Sequence, residues 1–468
     1  MPSIPFHPTI RHVALRLGVW AVAAWLLLPQ HHVLSQELRE FTTEPIVVSP
    51  SVIPDVVRPD NLHLVVTEDF LNSIVQREEI QPGEVREQFE DTPVAGQQVT
   101  TTCTRFDLQP SADVAAGRLV LEGNTASVTS GFSPQAVVNS VGRQQFEAVK
   151  DILFDGRTLT TRSAQVSVRA ESQNIGATTM FSGRPLGPLV EHVVLSVAQQ
   201  RQPAAEAFAR QRVVERVYPR FNQEIDDNLG RGNTFLKETL TPRLTTAGLM
   251  PEQLRTRSTE DHLHLSGSLA APTNGTQIGS APDALIEKHG VSLYAHESLI
   301  QGVIDRVGLA GRKTTTRQLK QMYRNFNPEA QLPNGGLNDV DIEIAFAEQD
   351  PVMIHIGDDE TVVTLRAAFG MAGQQVAMPP YEITLRFRLT ADEQRWTVRA
   401  GSVTARSLDG QSDGKSVTEV AVSKLIESSL PPVSCSKSLP DGIRPAGRSA
   451  PQVTSIRSGN GWIIIGVD

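Results

Sequence analysis

One long run of helical periodicity, from Pro188 to Gly248, limits what the rest of this chain can fold into. Val190, Val193, Val194 and Val197 recur at helical spacing and form one apolar stripe, which Val214, Val217, Phe221 and Ile225 continue. The opposite face carries Glu206, Arg210, Arg212, Glu215 and Arg216. Pro203 and Pro219 each remove a backbone donor, so the pattern predicts kinks or breaks there. Thr241-Pro242 and Gly248 mark its end. A helix this long with one apolar face needs an extended apolar partner surface.

The flanking sequence supplies strands. From Gln98 to Phe181 the apolar period drops to two, as in Arg118–Glu122 and Val166–Arg169, with turns expected at Glu122-Gly123-Asn124 and Asp155-Gly156. A helix is expected to interrupt these strands from Pro134 to Val149. Later strands are expected at Val340–Phe346, Val352–Ile356, Val362–Ala368, Ile383–Leu389 and Trp396–Ala400. Val417–Ser428 reads as a short last helix, and Gly459-Asn460-Gly461 before Trp462–Ile465 as a hairpin. The fold class is therefore α+β, antiparallel, with a long central helical stretch.

The chain also restarts. Leu62–Val66 reads as a strand running into a short helix bearing Phe70, Leu71, Ile74 and Val75; Val291–Ala295 does the same into Leu299, Ile300, Val303 and Ile304. Laid together without a gap, Leu64 meets Leu293, Glu68 meets Glu297 and Arg77 meets Arg306, which points to an internal duplication. The expected organisation is a signal peptide over 1–35, an extended lead-in over 36–60 and a first α+β half over 61–271. A linker over 272–285, a second half over 286–430 and a C-terminal loop and strand over 431–468 follow.

The N-terminus predicts export to the periplasm, cell surface or medium: Arg11 and Arg16 precede the apolar run Leu17–Leu28, with cleavage expected after Ser35. A retained anchor is the alternative, and no later stretch reaches transmembrane length. Net charge is −9, leaving −11 beyond residue 35, which argues against nucleic acid as a partner. Cys103 and Cys435 are the only cysteines; a disulfide between them and two free thiols both stay open.

In its order of elements the chain resembles the tubular lipid-binding superfamily, which includes the bactericidal permeability-increasing, lipopolysaccharide-binding and cholesteryl-ester-transfer proteins. The local resemblances are Val291–Gly311, the strand start Asp350-Pro351-Val352-Met353-Ile354-His355 and the stretch Pro188–Ala270. The resemblance implies two similar halves, each a curved antiparallel sheet wrapped on a helix with lipid between. The second half departs from that pattern, because Val417–Ser428 is too short to match the Pro188–Gly248 helix. Nor is a basic lipopolysaccharide-binding tip evident in this acidic chain.

Chemical motifs are sparse. His262 and His264 share a strand face beside Asp261, but no third metal ligand has a recognisable spacing, so an ordinary strand is expected. Asp409–Gly414 opens like a calcium loop, yet Val420 stands where the bidentate Glu belongs. Asp339, Asp341 and Glu343 read as outward-facing acids on a strand. Nucleophile-elbow, phosphate-loop and zinc-protease patterns are absent.

The expectation is therefore a non-enzymatic exported protein, without cofactor or metal, that binds a hydrophobic small molecule or lipid between helix and sheet. Phe70, Ile74, Val190, Val194, Val197, Leu299 and Val303 are the expected lining. A structural or cell-surface interaction protein with a filled core is the alternative. An uncharacterised hydrolase built from scattered acids and histidines stands third.

Overall fold

The computed structural model describes residues 60–246, 250–251, 253–269, 278, 289–318, 321, 342–371, 380–408, 432–438 and 451–468, with 419–420, 423–424 and 426–427. The signal segment, the lead-in to residue 59, nearly all of the linker, Asp339, Asp341 and the Asp409–Gly414 turn lie outside the described residues. The described chain forms two compact units, one of residues 68–234 with 257–263, the other of 60–67, 235–256 and 264–468.

β1 (Leu62–Thr67) runs directly into α1 (Glu68–Val75). The first unit then builds one antiparallel sheet from β2 (Arg77–Phe89), β3 (Thr92–Gln109), β4 (Ala115–Phe132), β5 (Ala136–Phe154), β6 (Leu159–Thr161) and β7 (Gln165–Thr179). The order is β2-β3-β4-β5, with β6 and β7 sharing the far edge of β5. Two expectations are corrected here. The helix expected over Pro134–Val149 is the start of β5, whose alternate residues Phe146, Ala148, Lys150, Ile152 and Phe154 are buried on one face. Paired on both sides by β4 and β7, this segment gains more from two ladders than its local helical pattern offers. Likewise Glu122-Gly123-Asn124 is no turn but the middle of β4; a Cβ on Gly123 would lie 2.0 Å from the Phe146 ring, so glycine there admits the neighbour's side chain.

α2 (Gly187–Phe235) follows, continued by a π turn (Leu236–Leu240) and α3 (Thr241–Thr246). Of the kinks or breaks expected at Pro203 and Pro219, no break occurs, since α2 runs through both. Each proline is exposed, so the carbonyl it leaves unbonded faces water, which lowers the cost of a proline inside a helix.

The second unit holds two sheets. Its strands are β8 (Gln253–Ser258), β9 (His262–Ser268) and β10 (Val291–His296), the last leading into α4 (Glu297–Val307). Then come β11 (Lys313–Thr315), β12 (Ile342–Phe346), β13 (Val352–Ile356), β14 (Thr361–Met371), β15 (Pro380–Ala391) and β16 (Arg395–Ser407). β17 (Val433–Ser436), β18 (Val453–Gly459) and β19 (Trp462–Val467) complete the set. A six-stranded sheet runs β18-β19-β10-β1-β9-β8; a seven-stranded one runs β11-β12-β14-β15-β16-β17 with β13 also on β14. The β18–β19 hairpin turns at Asn460 (φ 52°) and Gly461 (φ 81°), the left-handed pair a two-residue turn requires. The described part of Val417–Ser428 is helical and packs on the second sheet: Glu419 accepts from Ser407 N–H (2.9 Å), and Ile426 covers Tyr381, Ile383, Leu385 and Val403.

The two strand-to-helix entries share a set of contacts. Leu64 and Leu293, equivalent in the gapless alignment, are direct partners across β1 and β10. In the first unit Glu68 Oε2 accepts from Leu108 N–H (2.7 Å), while the Asn72 amide exchanges two 2.8 Å bonds with the backbone of Phe106. At the equivalent positions Glu297 Oε2 accepts from Ile356 N–H (2.6 Å), and Gln301 bonds Ile354 N–H (3.1 Å) and Val352 C=O (2.9 Å). Each short helix thus grips one strand by the same two-point polar clamp. Cys103 on β3 and Cys435 on β17 are both free thiols, and burial pushes the Cys435 thiol up.

Candidate functional site

α2 meets both free edges of the first sheet. On one side Glu87 of β2 pairs with Arg216 and lies 3.8 Å from Arg212, Glu90 pairs with Arg201 (3.3 Å), and the Phe89 and Phe208 rings sit 5.5 Å apart. On the other, Ser172 of β7 donates its N–H to Glu206 (3.0 Å) and accepts from Gln202 Nε2 (2.7 Å). The sheet therefore curls until its two edge strands reach opposite flanks of one helix. The Gln202 amide and the Ser172 N–H hold the Glu206 carboxyl below its ordinary range.

Along this axis the packing changes. From Phe221 onward the helix is embedded: Phe221, Ile225, Leu229 and Asn228 are buried. Lys150, only 1% exposed, reaches across from β5 to Asp226 Oδ1 (2.7 Å) and Asn222 Oδ1 (2.8 Å). Asn233 exchanges two bonds with the backbone of Leu159. Nearby, burial first and the facing Glu79 second push the Glu224 carboxyl up to about 7, against the pull of Arg231 and Arg77.

From Gly187 to Arg220 only Gly187 is buried. Val190 and Val194 are half-buried, Val193 and Val197 exposed. The helix-facing residues of the sheet can be traced by register from Phe146 and Lys150. Toward this end they are Gly142 and Ser140 on β5, Thr125, Ser127 and Thr129 on β4, and Thr100 and Gly96 on β3, with the larger amides Gln144 and Gln98 between them. Beyond it, where β4 hands over to β5 and β7 to α2, Phe132, Met180, Phe181, Leu186 and Leu189 stand exposed, Met180 at 71% and Leu189 at 67%.

The expected lining residues divide. Val190, Val194 and Val197 lie on this open stretch of α2, while Phe70 and Ile74 are half-buried on α1, where Leu71 and Val75 carry the buried face. Leu299 (buried) and Val303 (half-buried) are on α4, in the second unit. Sequence reasoning missed the exposed end, although Met180-Phe181 beside Gly183 and Leu186-Gly187 is an apolar turn, an uncommon combination. It also missed Lys150, which carries no local signal. A separate concavity of about 680 Å³ lies on the sheet's opposite face, lined mainly by Thr101, Cys103, Glu122, Asn124, Gln145, Glu147, Ser167 and Arg169; its polarity does not suit an apolar ligand. Among the described residues no group of three or more metal-binding side chains occurs, and no helix is long and apolar enough to cross a membrane.

These features define an α+β protein of curved antiparallel sheets with a long central helix. Neither a protein-family model nor a curated protein sequence matches the chain. Among solved structures it is similar to lipopolysaccharide binding protein, with 10% identity and a TM-score of 0.33 over 88% of this chain and 98% of that one. It is also similar to P47 from Clostridium botulinum A2, with 10% identity and a TM-score of 0.27 over 87% and 97%. Likenesses this distant carry nothing about ligand or activity.

Proposed function

We propose that this chain is an exported protein that holds a hydrophobic ligand, a lipid, between α2 and the sheet of the first unit, binding it there without chemistry. The observation that carries the reading is the change along α2. Its second half is packed as core, whereas in its first half Val190 and Val194 are only half-buried, Val193 and Val197 are exposed, and the helix-facing sheet residues are glycines and short hydroxyl residues with the amides Gln98 and Gln144 among them. Half-buried valines over a wall with several small residues suit one or more acyl chains, and the exposed Met180, Phe181, Leu186 and Leu189 offer an apolar way in. The ligand-lining set we propose is Val190, Val194 and Val197 of α2.

The test is to purify the mature protein, extract it for mass spectrometry of bound lipid, and measure uptake of a fluorescent fatty acid. Co-purifying lipid or saturable uptake is expected. Recovery of no lipid together with no uptake would overturn the reading in favour of a structural protein with a filled interior.

A further inference from the structure

In the second unit, three residues far apart in sequence form a chain of hydrogen bonds. Ser455 Oγ lies 2.8 Å from His289 Nε2, and His289 Nδ1 lies 3.0 Å from Asp468 Oδ2. The carboxylate is fixed by two further donors, Gly290 N–H to Oδ1 (2.8 Å) and the Thr454 hydroxyl to Oδ2 (2.8 Å). These bonds outweigh the effect of its partial burial and hold the Asp468 carboxyl below its ordinary range, so it is an anion. An anion at Nδ1 keeps the ring proton there and leaves the Nε2 lone pair facing Ser455.

Local structure builds this arrangement from the strands upward. Register slips between Val453 and Ser455, leaving Thr454 and Ser455 together opposite Gly466. Such a bulge re-aims side chains, and here Thr454 Oγ1 (3.1 Å from Nδ1) and Ser455 Oγ reach opposite ends of one imidazole. The ring lies over Gly466, where a Cβ would come 2.3 Å from His289 Cδ2 and 2.5 Å from Ser455 Oγ. His289 has a side chain only 13% exposed, whereas Asp468 is about half exposed.

β18 is an edge strand among the described residues. Gln452 and Asp468 exchange both backbone bonds, Val453 N–H turns outward to Lys437 C=O, and Ser458 C=O turns outward to Asp359 N–H. By strand alternation Ile456, two residues before Ser458, also turns its N–H off the edge.

We propose that Ser455, His289 and Asp468 form a serine-hydrolase centre for carboxylic esters, distinct from the lipid seam of the first unit. Ser455 Oγ adds to the ester carbonyl carbon as its proton passes to His289 Nε2. The oxyanion accepts from Ile456 N–H. The bond from the carbonyl carbon to the leaving oxygen then breaks, and His289 returns the proton to that oxygen, releasing the alcohol. Water, deprotonated by the same nitrogen, cleaves the acyl-Ser455 ester to a carboxylic acid and restores the serine. Asp468 orients the ring and faces the imidazolium without taking its proton. Esters suit the centre better than amides, because an alkoxide leaves with less assistance than an amine and only one main-chain donor is presented. No motif announces these residues, since the nucleophile sits on a strand bulge and not on a strand-to-helix elbow.

The experiment treats the full-length chain with a fluorophosphonate probe, maps the adduct by mass spectrometry and follows p-nitrophenyl acetate hydrolysis. One adduct on Ser455 is expected. His289→Gln should slow labelling by about 10²-fold or more, the usual contribution of a general base, and Asp468→Asn should slow it as well. Ser455→Ala should abolish both signals with an unchanged circular-dichroism spectrum. Mapping the adduct on the unaltered chain needs no variant to fold. Absence of a Ser455 adduct, or labelling indifferent to His289→Gln, would overturn the proposal.

Discussion

The Lys150 ammonium offers a sharp test of how the long helix is held. It is 1% exposed, with Asp226 Oδ1 at 2.7 Å, Asn222 Oδ1 at 2.8 Å and Asn222 C=O at 3.3 Å, whereas the Asp226 side chain is 53% exposed. The two deletions are therefore unequal. Asp226→Ala leaves a buried cation with two neutral acceptors. Removing one partner of a buried pair costs about 3–5 kcal/mol, and with both neutral acceptors kept and the lost partner half in water we expect about 2–3 kcal/mol. Lys150→Met keeps the packing volume, frees Asp226 to hydrate and leaves Asn222 Oδ1 bonded to Ala164 N–H (2.9 Å), so it should cost no more than about 1 kcal/mol. In a unit of this size about 1 kcal/mol moves Tm by roughly 2–4 °C, which predicts a fall of about 4–12 °C for Asp226→Ala and less than about 4 °C for Lys150→Met. Because the chain has two units, the melt should be read beside hydrogen exchange of the β5 amides. The reasoning is refuted if Lys150→Met destabilises β5 as much as Asp226→Ala.

Three further outcomes are expected. Glu224 has its folded-state carboxyl raised from 4.5 to about 7, so the native state binds the extra proton and its stabilising contribution, full below about 4.5, is lost as pH rises toward 7. Glu224→Gln should flatten the pH dependence of the first unit's stability in that window and raise its Tm at pH 8; an unchanged slope would show that the carboxyl titrates normally. Val194→Trp should block fatty-acid uptake with little change in Tm if the seam holds ligand, whereas a close-packed seam would be overpacked and lose about 1–3 kcal/mol. Glu68→Ala and Glu297→Ala should each cost about 1–2 kcal/mol by orphaning one strand N–H, as denaturant melts would show; a neutral result at one position would break the equivalence of the two clamps.

Much of the fold was written locally. The long helix, the paired strand-to-helix entries and the Asn460-Gly461 hairpin each follow from a period or a turn residue within a short window, and the structure has all three. Even the clamps are foreshadowed, because Glu68 and Glu297 fall at matching positions when the two strand-to-helix segments are laid together. Tertiary pairing decided the rest. Residues 136–149 carry enough helical pattern to mislead, and only β4 and β7 on either side make them strand. Gly123 looks like a turn until Phe146 from the next strand occupies its empty side. Pro203 and Pro219 look like helix breakers until their exposed positions show where the unbonded carbonyls go. The candidate sites were least legible of all. Val190–Val197 reads as one apolar stripe by spacing, and only packing leaves Val190 and Val194 half-buried and Val193 and Val197 exposed. His289, Ser455 and Asp468 come together only because β10, β18 and β19 lie in one sheet with a bulge opposite a glycine. Periodicity records which face of an element is apolar; which other element meets that face, and whether it fills the space, is settled by packing between residues that the chain itself keeps far apart.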